Sequence, residues 1–131
     1  MGLGMVVACN NCGFTKNIFT GTGMHYPMLF EILNELNKRE RSRVEAMIEA
    51  DTIANYEYYR ELYKCPKCDV LADKCRLTLT LKDGTKTEAV HKCWKCKRQF
   101  EIIEDHGLIK TFKCPKCREQ SLTFDNCILW D

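Results

Sequence analysis

The chain has 131 residues, a formal net charge of +2, 45% hydrophobic residues and ten cysteines. That apolar content excludes disorder over most of its length, and no apolar run approaches the roughly 20 residues of a membrane-crossing helix. So high a cysteine content leaves two explanations, a disulfide framework or metal sites.

Met5 to Ala8 reads as an opening strand that leads into the first cysteine pair, Cys9-Asn-Asn-Cys12. Met1 to Ala8 lacks the basic start and long apolar stretch of a secretory signal, so the expected compartment is a reducing cytoplasm. Gly13 directly follows the pair, where a left-handed residue would let backbone amides point at the sulfurs. An irregular segment then runs to Gly21-Thr-Gly23, too little for a phosphate loop because no Lys-Ser/Thr follows. A helix is expected from about Tyr26, with Pro27 at its first position and Leu29, Ile32, Leu33 and Leu36 as its buried stripe, ending near 37–39. Ser42 and Glu45 suggest a capping box for a second helix with Val44, Met47 and Ile48 on its apolar face. The stretch 51–63 fits either a helix bearing Tyr56, Tyr59 and Tyr63 or a strand approaching Cys65, and the tyrosines read as packing residues with a wet edge.

Beyond Cys65 the pattern is that of strands. Cys75, Leu77, Leu79 and Leu81 alternate with Arg76, Thr78, Thr80 and Lys82, and Asp83-Gly84 supplies a hairpin turn. A return strand is expected over about 85–92. A second hairpin should join 100–103 to 108–113 through Asp105-His106-Gly107, followed by a short strand at 122–124 and a tail of Ile128, Leu129 and Trp130 packed back on it.

Eight cysteines form four pairs of one spacing: Cys9/Cys12, Cys65/Cys68, Cys93/Cys96 and Cys114/Cys117. A tight turn aims two thiolates at one tetrahedral ion, whereas a disulfide scaffold has no reason to repeat one short spacing. The expectation is two structural Zn2+ ions, with iron an alternative that four thiolates also accept. Eight thiolates and two zinc ions would bring the net charge to about −2. The favoured pairing is sequential, Cys9/Cys12 with Cys65/Cys68 and Cys93/Cys96 with Cys114/Cys117. A nested pairing, in which Cys65/Cys68 joins Cys93/Cys96 across the 75–92 hairpin, is its rival, and a crossed one the third. Cys75, on the apolar phase of its strand, reads as a buried inert thiol. Cys127 carries no ligand spacing.

Cys93-Trp-Lys-Cys96 and Cys114-Pro-Lys-Cys117 around a hairpin resemble the zinc-ribbon (rubredoxin-like) proteins, over about 88–125. More loosely, CNNCGF, FTGTGMHYP, YKCPKC and a terminal CPKC look like small bacterial proteins with two CxxC-CxxC zinc sites. The resemblance implies a bacterial cytoplasmic protein and transfers no active site.

The fold expected is therefore a small α+β metal-stabilised unit spanning 1–131. It has two ribbon-like hairpin lobes, about 5–92 with a helical insertion at 26–60, and about 93–131. Residues 64–98 hold ten Lys/Arg against four Asp/Glu, and Lys64, Lys67, Arg76, Lys92, Trp94, Lys95, Lys97 and Arg98 are candidate interaction residues on that strip. A protein partner, as for an adaptor module, is the first functional expectation. Nucleic acid bound by the basic strip is the second, and a redox or hydrolytic enzyme the third. No membrane partner and no small-molecule substrate are indicated. His25, His91 and His106 are the only histidines, and they form no catalytic set with the cysteine pairs.

Overall fold

The computed structural model describes residues 2–23 and 26–130; His25 lies outside them. Two antiparallel sheets carry the fold. The first contains β1 (Gly2–Cys9), β2 (Thr15–Thr20) and, from the far end of the chain, the last strand. Between the sheets in sequence come a single helical turn, α1 (Leu29–Ile32), and a three-turn helix, α2 (Lys38–Glu49). The second sheet is built from β3 (Ile53–Lys64), β4 (Leu71–Leu81), β5 (Lys86–Glu88) and β6 (Glu101–Ile103). The last strand, β7 (Leu122–Trp130), closes the first sheet.

The orders are β2-β1-β7 and β5-β4-β3-β6. Both sheets follow one plan. A central strand (β1 or β3) ends in a cysteine pair and returns as its hairpin partner (β2 or β4). A later cysteine pair then sends a third strand (β7 or β6) antiparallel along the other edge of the central strand. Both third strands start five residues after their cysteine pair, at Leu122 after Cys117 and Glu101 after Cys96. One ribbon, 53–103, is thus inserted inside the other. The seam between them includes a two-way backbone bridge, Gly21 N–H to the Arg60 carbonyl and Arg60 N–H back to Gly21, both 2.8 Å.

Among the described residues three small cores result. Met5, Val7 and Ile18 of the first sheet pack with Leu62, Leu71 and Ile109. Ile32, Leu36 and Val44 of the helical segment cover Cys75, Leu77 and Leu79 of β4. Tyr63, Val70, Ala72 and Phe100 surround the inner cysteine pairs. None is a large continuous core, so each ribbon has little apolar burial with which to offset chain entropy.

Several sequence expectations are corrected. The single helix over 26–39 is broken: after α1 a 3-10 turn spans Leu33–Glu35 and Leu36 is extended (φ −93°, ψ 151°). The cause is Asn37, whose side chain accepts the Glu40 amide at 2.9 Å and so caps α2 ahead of the expected capping box. Ser42 and Glu45 both fall inside α2 and cap nothing. The apolar stripe packs as expected even so, except that Ile48 is exposed. The ambiguous stretch before Cys65 is strand β3. The return strand of the 83–84 hairpin is cut to Lys86–Glu88, because the Val90 amide turns away to bond Glu40 at 2.7 Å. Residues 106–111 form a 3-10 turn, opened by the Asp105 carboxylate accepting from Gly107 N–H, so β6 pairs with β3 and not with 108–113. The 128–130 tail is a continuation of β7. The irregular segment after Gly13 contains β2.

Candidate metal centres and the basic surface beside them

Each cysteine pair sits in the same turn. The first cysteine donates its amide to the carbonyl five residues on: Cys9 to Phe14, Cys65 to Val70, Cys93 to Arg98 and Cys114 to Glu119, all 2.8–2.9 Å. Its own carbonyl accepts from the residue after the second cysteine, which is Gly13, Asp69, Lys97 or Arg118. Those four residues all have positive φ, between 60° and 78°. The turn needs that conformation, and only the first pair meets it with glycine.

The turns come together in two groups, Cys9, Cys12, Cys114 and Cys117, and Cys65, Cys68, Cys93 and Cys96, the sulfurs of each within 4.8 Å of one another. This is the nested arrangement. The sequential pairing, and with it the lobes drawn at 5–92 and 93–131, is corrected: β7 lies along β1 and β6 along β3, which brings each later cysteine pair to the end of its own central strand. In each pair the first cysteine is buried and the second half-buried.

None of the eight is in a disulfide, and their sulfurs stand 3.6 Å apart for Cys9–Cys117 and Cys12–Cys114 and 3.5 Å for Cys65–Cys96. A tetrahedral ion with metal–sulfur bonds of about 2.3 Å has sulfur–sulfur edges of about 3.8 Å. The spacing fits such an ion closely. Backbone amides already face the sulfurs: Asn11 and Cys12 toward Cys9, Cys68 toward Cys65, Lys116 toward Cys114. The Ser121 hydroxyl lies 3.0 Å from the Cys9 sulfur.

Electrostatics points the same way. Ser121 foremost, with the Cys12 and Asn11 amides, brings the Cys9 thiol down to about 6 against its desolvation. Cys12 gains from the Phe14 amide, yet desolvation and the neighbouring sulfurs of Cys114, Cys9 and Cys117 leave it raised to about 11. In the second group desolvation opposes Cys65, but the amides of Cys68 and Lys67 bring it to about 7, while Cys96 foremost pushes Cys68 up to about 12. Cys117 is lowered too, by Asn11 foremost, so in each group some sulfurs ionise more readily at their neighbours' expense. Four can coexist at this spacing only around a cation.

Cys75 is buried and its thiol is pushed up to about 12 by desolvation; Cys127 is exposed. The two described histidines have partners, His91 the Cys75 carbonyl at 2.6 Å and His106 the Glu61 carboxylate at 2.8 Å.

The 64–98 strip divides. Lys64 pairs with Asp69 at 3.3 Å, and Arg76 is held by Glu88 and Glu104 at 2.8 Å each. Lys67 is exposed on the second cysteine turn. Lys92, Lys95 and Lys97 line the grooves on either side of half-exposed Trp94 on the third turn, and Arg98 is exposed at that turn's end. Sequence reasoning missed the residues that join them from elsewhere: Lys16 of β2, whose ammonium lies 6.0 Å from the Trp94 ring centroid, Lys116 of the fourth turn, and Lys38 and Arg39 of α2. It also missed Arg118, which ties the two centres by donating to the Cys68 carbonyl at 3.0 Å and pairing with Asp69 at 3.3 Å. No sequence signal marks residues so far apart in the chain as neighbours.

Compared with protein-family models, curated proteins and solved structures, the chain gives no match. Among the described residues no helix is long and apolar enough to cross a membrane.

Proposed function

We propose that the protein is a zinc-binding module whose two four-cysteine centres are structural, and that it works as a non-catalytic binding platform. The sulfur spacing carries this reading. Cys9, Cys12, Cys114 and Cys117 would hold one ion, and Cys65, Cys68, Cys93 and Cys96 the other. Four thiolates complete a tetrahedral zinc and leave no position for a reacting water. What the ions supply is cohesion for ribbons with small cores. Iron would meet the same donors, and the metal of the isolated protein distinguishes the two.

Metal analysis of protein purified without added metal should give about two zinc per chain. One equivalent or less, or a red iron-containing protein, would overturn the zinc reading. Cobalt substitution should give the strong sulfur-to-metal absorption of all-thiolate tetrahedral sites. Chelation should abolish the cooperative unfolding transition, since metal-binding free energy is folding free energy in such sites. Of the partner classes expected from the sequence, the cations around Trp94 favour a polyanion.

A further inference from the structure

Trp94 stands between two grooves. One, of about 340 Å³, runs between the ribbons and is lined by Phe14, Lys16, Lys95 and Lys116. The other, of about 800 Å³, lies between α2 and the third cysteine turn and carries Lys38, Arg39, Lys92 and Lys97. Together the grooves present eight cations and two carboxylates, Glu40 and Glu88. Both carboxylates are already engaged, Glu40 by Arg43 and Glu88 by Arg76. Among the described residues, by contrast, none of Lys38, Arg39, Lys92, Lys95, Lys97 and Lys116 forms an ion pair. On a chain whose net charge with two zinc ions is about −2, this surface is a strong local excess of positive charge.

The lysines of the cysteine turns offset thiolate charge, but helix stability does not explain the two cations that α2 adds to them. Lys38 and Arg39 open α2, at the end where the helix dipole disfavours cations. Trp94 is 53% exposed on the third cysteine turn, and its ring meets Phe100 in an edge-type contact at a centroid distance of 6.2 Å. A large aromatic ring half in solvent, with the Lys16 ammonium 6.0 Å from its centroid and further cations on either side, suits a ligand with a planar ring and flanking phosphates.

We propose that Trp94 and its two grooves bind single-stranded nucleic acid, one unpaired base stacking on the indole while phosphates on either side meet the lysines of the two grooves. A single strand is favoured over a duplex because stacking on a side chain needs an unpaired base. The inference rests on the metal reading to the extent that the third cysteine turn holds Trp94 in place.

The test uses the full-length zinc-loaded chain and a fluorescein-labelled 12-nucleotide oligothymidylate, followed by anisotropy at several salt concentrations. Binding should weaken with salt, with a log–log slope of about −3 if some four or five phosphates are neutralised. Trp94→Ala should weaken binding about tenfold or more at unchanged salt slope. Lys95→Glu with Lys116→Glu should weaken it further and flatten the slope, while Lys82→Gln, at a residue that pairs with Asp51 and lines neither groove, should leave it unchanged. Zinc content and circular dichroism of each variant are measured on the same samples, so a failed metal site is read separately from a failed surface. No binding at low salt by a protein holding two zinc ions overturns the inference. So does binding indifferent to Trp94→Ala, or an acidic peptide that competes as well as the oligonucleotide, which would assign the surface to a protein partner.

Discussion

Gly13 shows what the cysteine turns demand of single residues. Its φ is +78°, and a Cβ placed there would meet nothing within 4 Å. Gly13→Ala therefore adds backbone strain without a clash, and should destabilise the metal-loaded protein by about 1 kcal/mol, measured by urea unfolding. No change in the unfolding midpoint would show that the turn relaxes. Gly2 is needed for another reason: a Cβ there would run into the Trp130 indole, whose N–H donates to the Leu3 carbonyl at 2.9 Å. The role of Gly13 was legible from its place after Cys12. The three corresponding positions were not, because Asp69, Lys97 and Arg118 hold the same left-handed conformation without the residue type that signals it. There the hydrogen bonds of the turn override local preference.

At the scale of elements, α2 is fastened to the inner ribbon by Glu40, which is 7% exposed. Its carboxylate accepts from the Val90 amide at 2.7 Å and from Arg43, which in turn donates to Thr87 and to the Glu88 carbonyl. Desolvation would raise the Glu40 carboxyl, but Arg43 and the Val90 amide outweigh it and hold the group below its ordinary value. Its contribution is therefore present above the unfolded-state value and lost as pH falls through the lowered folded one. Glu40→Ala leaves the Val90 amide and Arg43 without this partner and should cost about 1–3 kcal/mol in urea unfolding at neutral pH. Glu45→Ala on the exposed face of the same helix should stay within about 0.5 kcal/mol. Equal effects would mean that Glu40 fastens nothing. Helical periodicity made the buried stripe of 29–36 legible, but not the break that Asn37 imposes. Alternation likewise revealed β4. It could not resolve β3, where Tyr56 and Tyr58 pack under the helices and Tyr63 packs in the inner core, because aromatic residues at such spacing satisfy either period.

For the whole molecule the consequence is topological. The eight cysteines were legible as one set from their spacing, yet their grouping was not, because loop-closure entropy grows too slowly with loop length to choose between the pairings. Strand pairing makes the choice. Gly2 to Cys9 pair with residues of β7 more than a hundred positions away, and this carries Cys114 and Cys117 back to the first turn. A paired-variant experiment separates the alternatives by counting metal. If Cys12 and Cys117 serve one ion, Cys12→Ser with Cys117→Ser damages a single centre and should leave about one zinc per chain. Cys12→Ser with Cys68→Ser strikes both centres and should leave close to none. The sequential grouping would reverse the two results. Retention of about one zinc in the Cys12/Cys68 variant, with loss of both in the Cys12/Cys117 variant, would therefore contradict the nesting of one ribbon within the other. Arg118, by linking the outer centre's last turn to Asp69 beside Cys68, should make the surviving centre in the first variant somewhat less stable than in the intact protein.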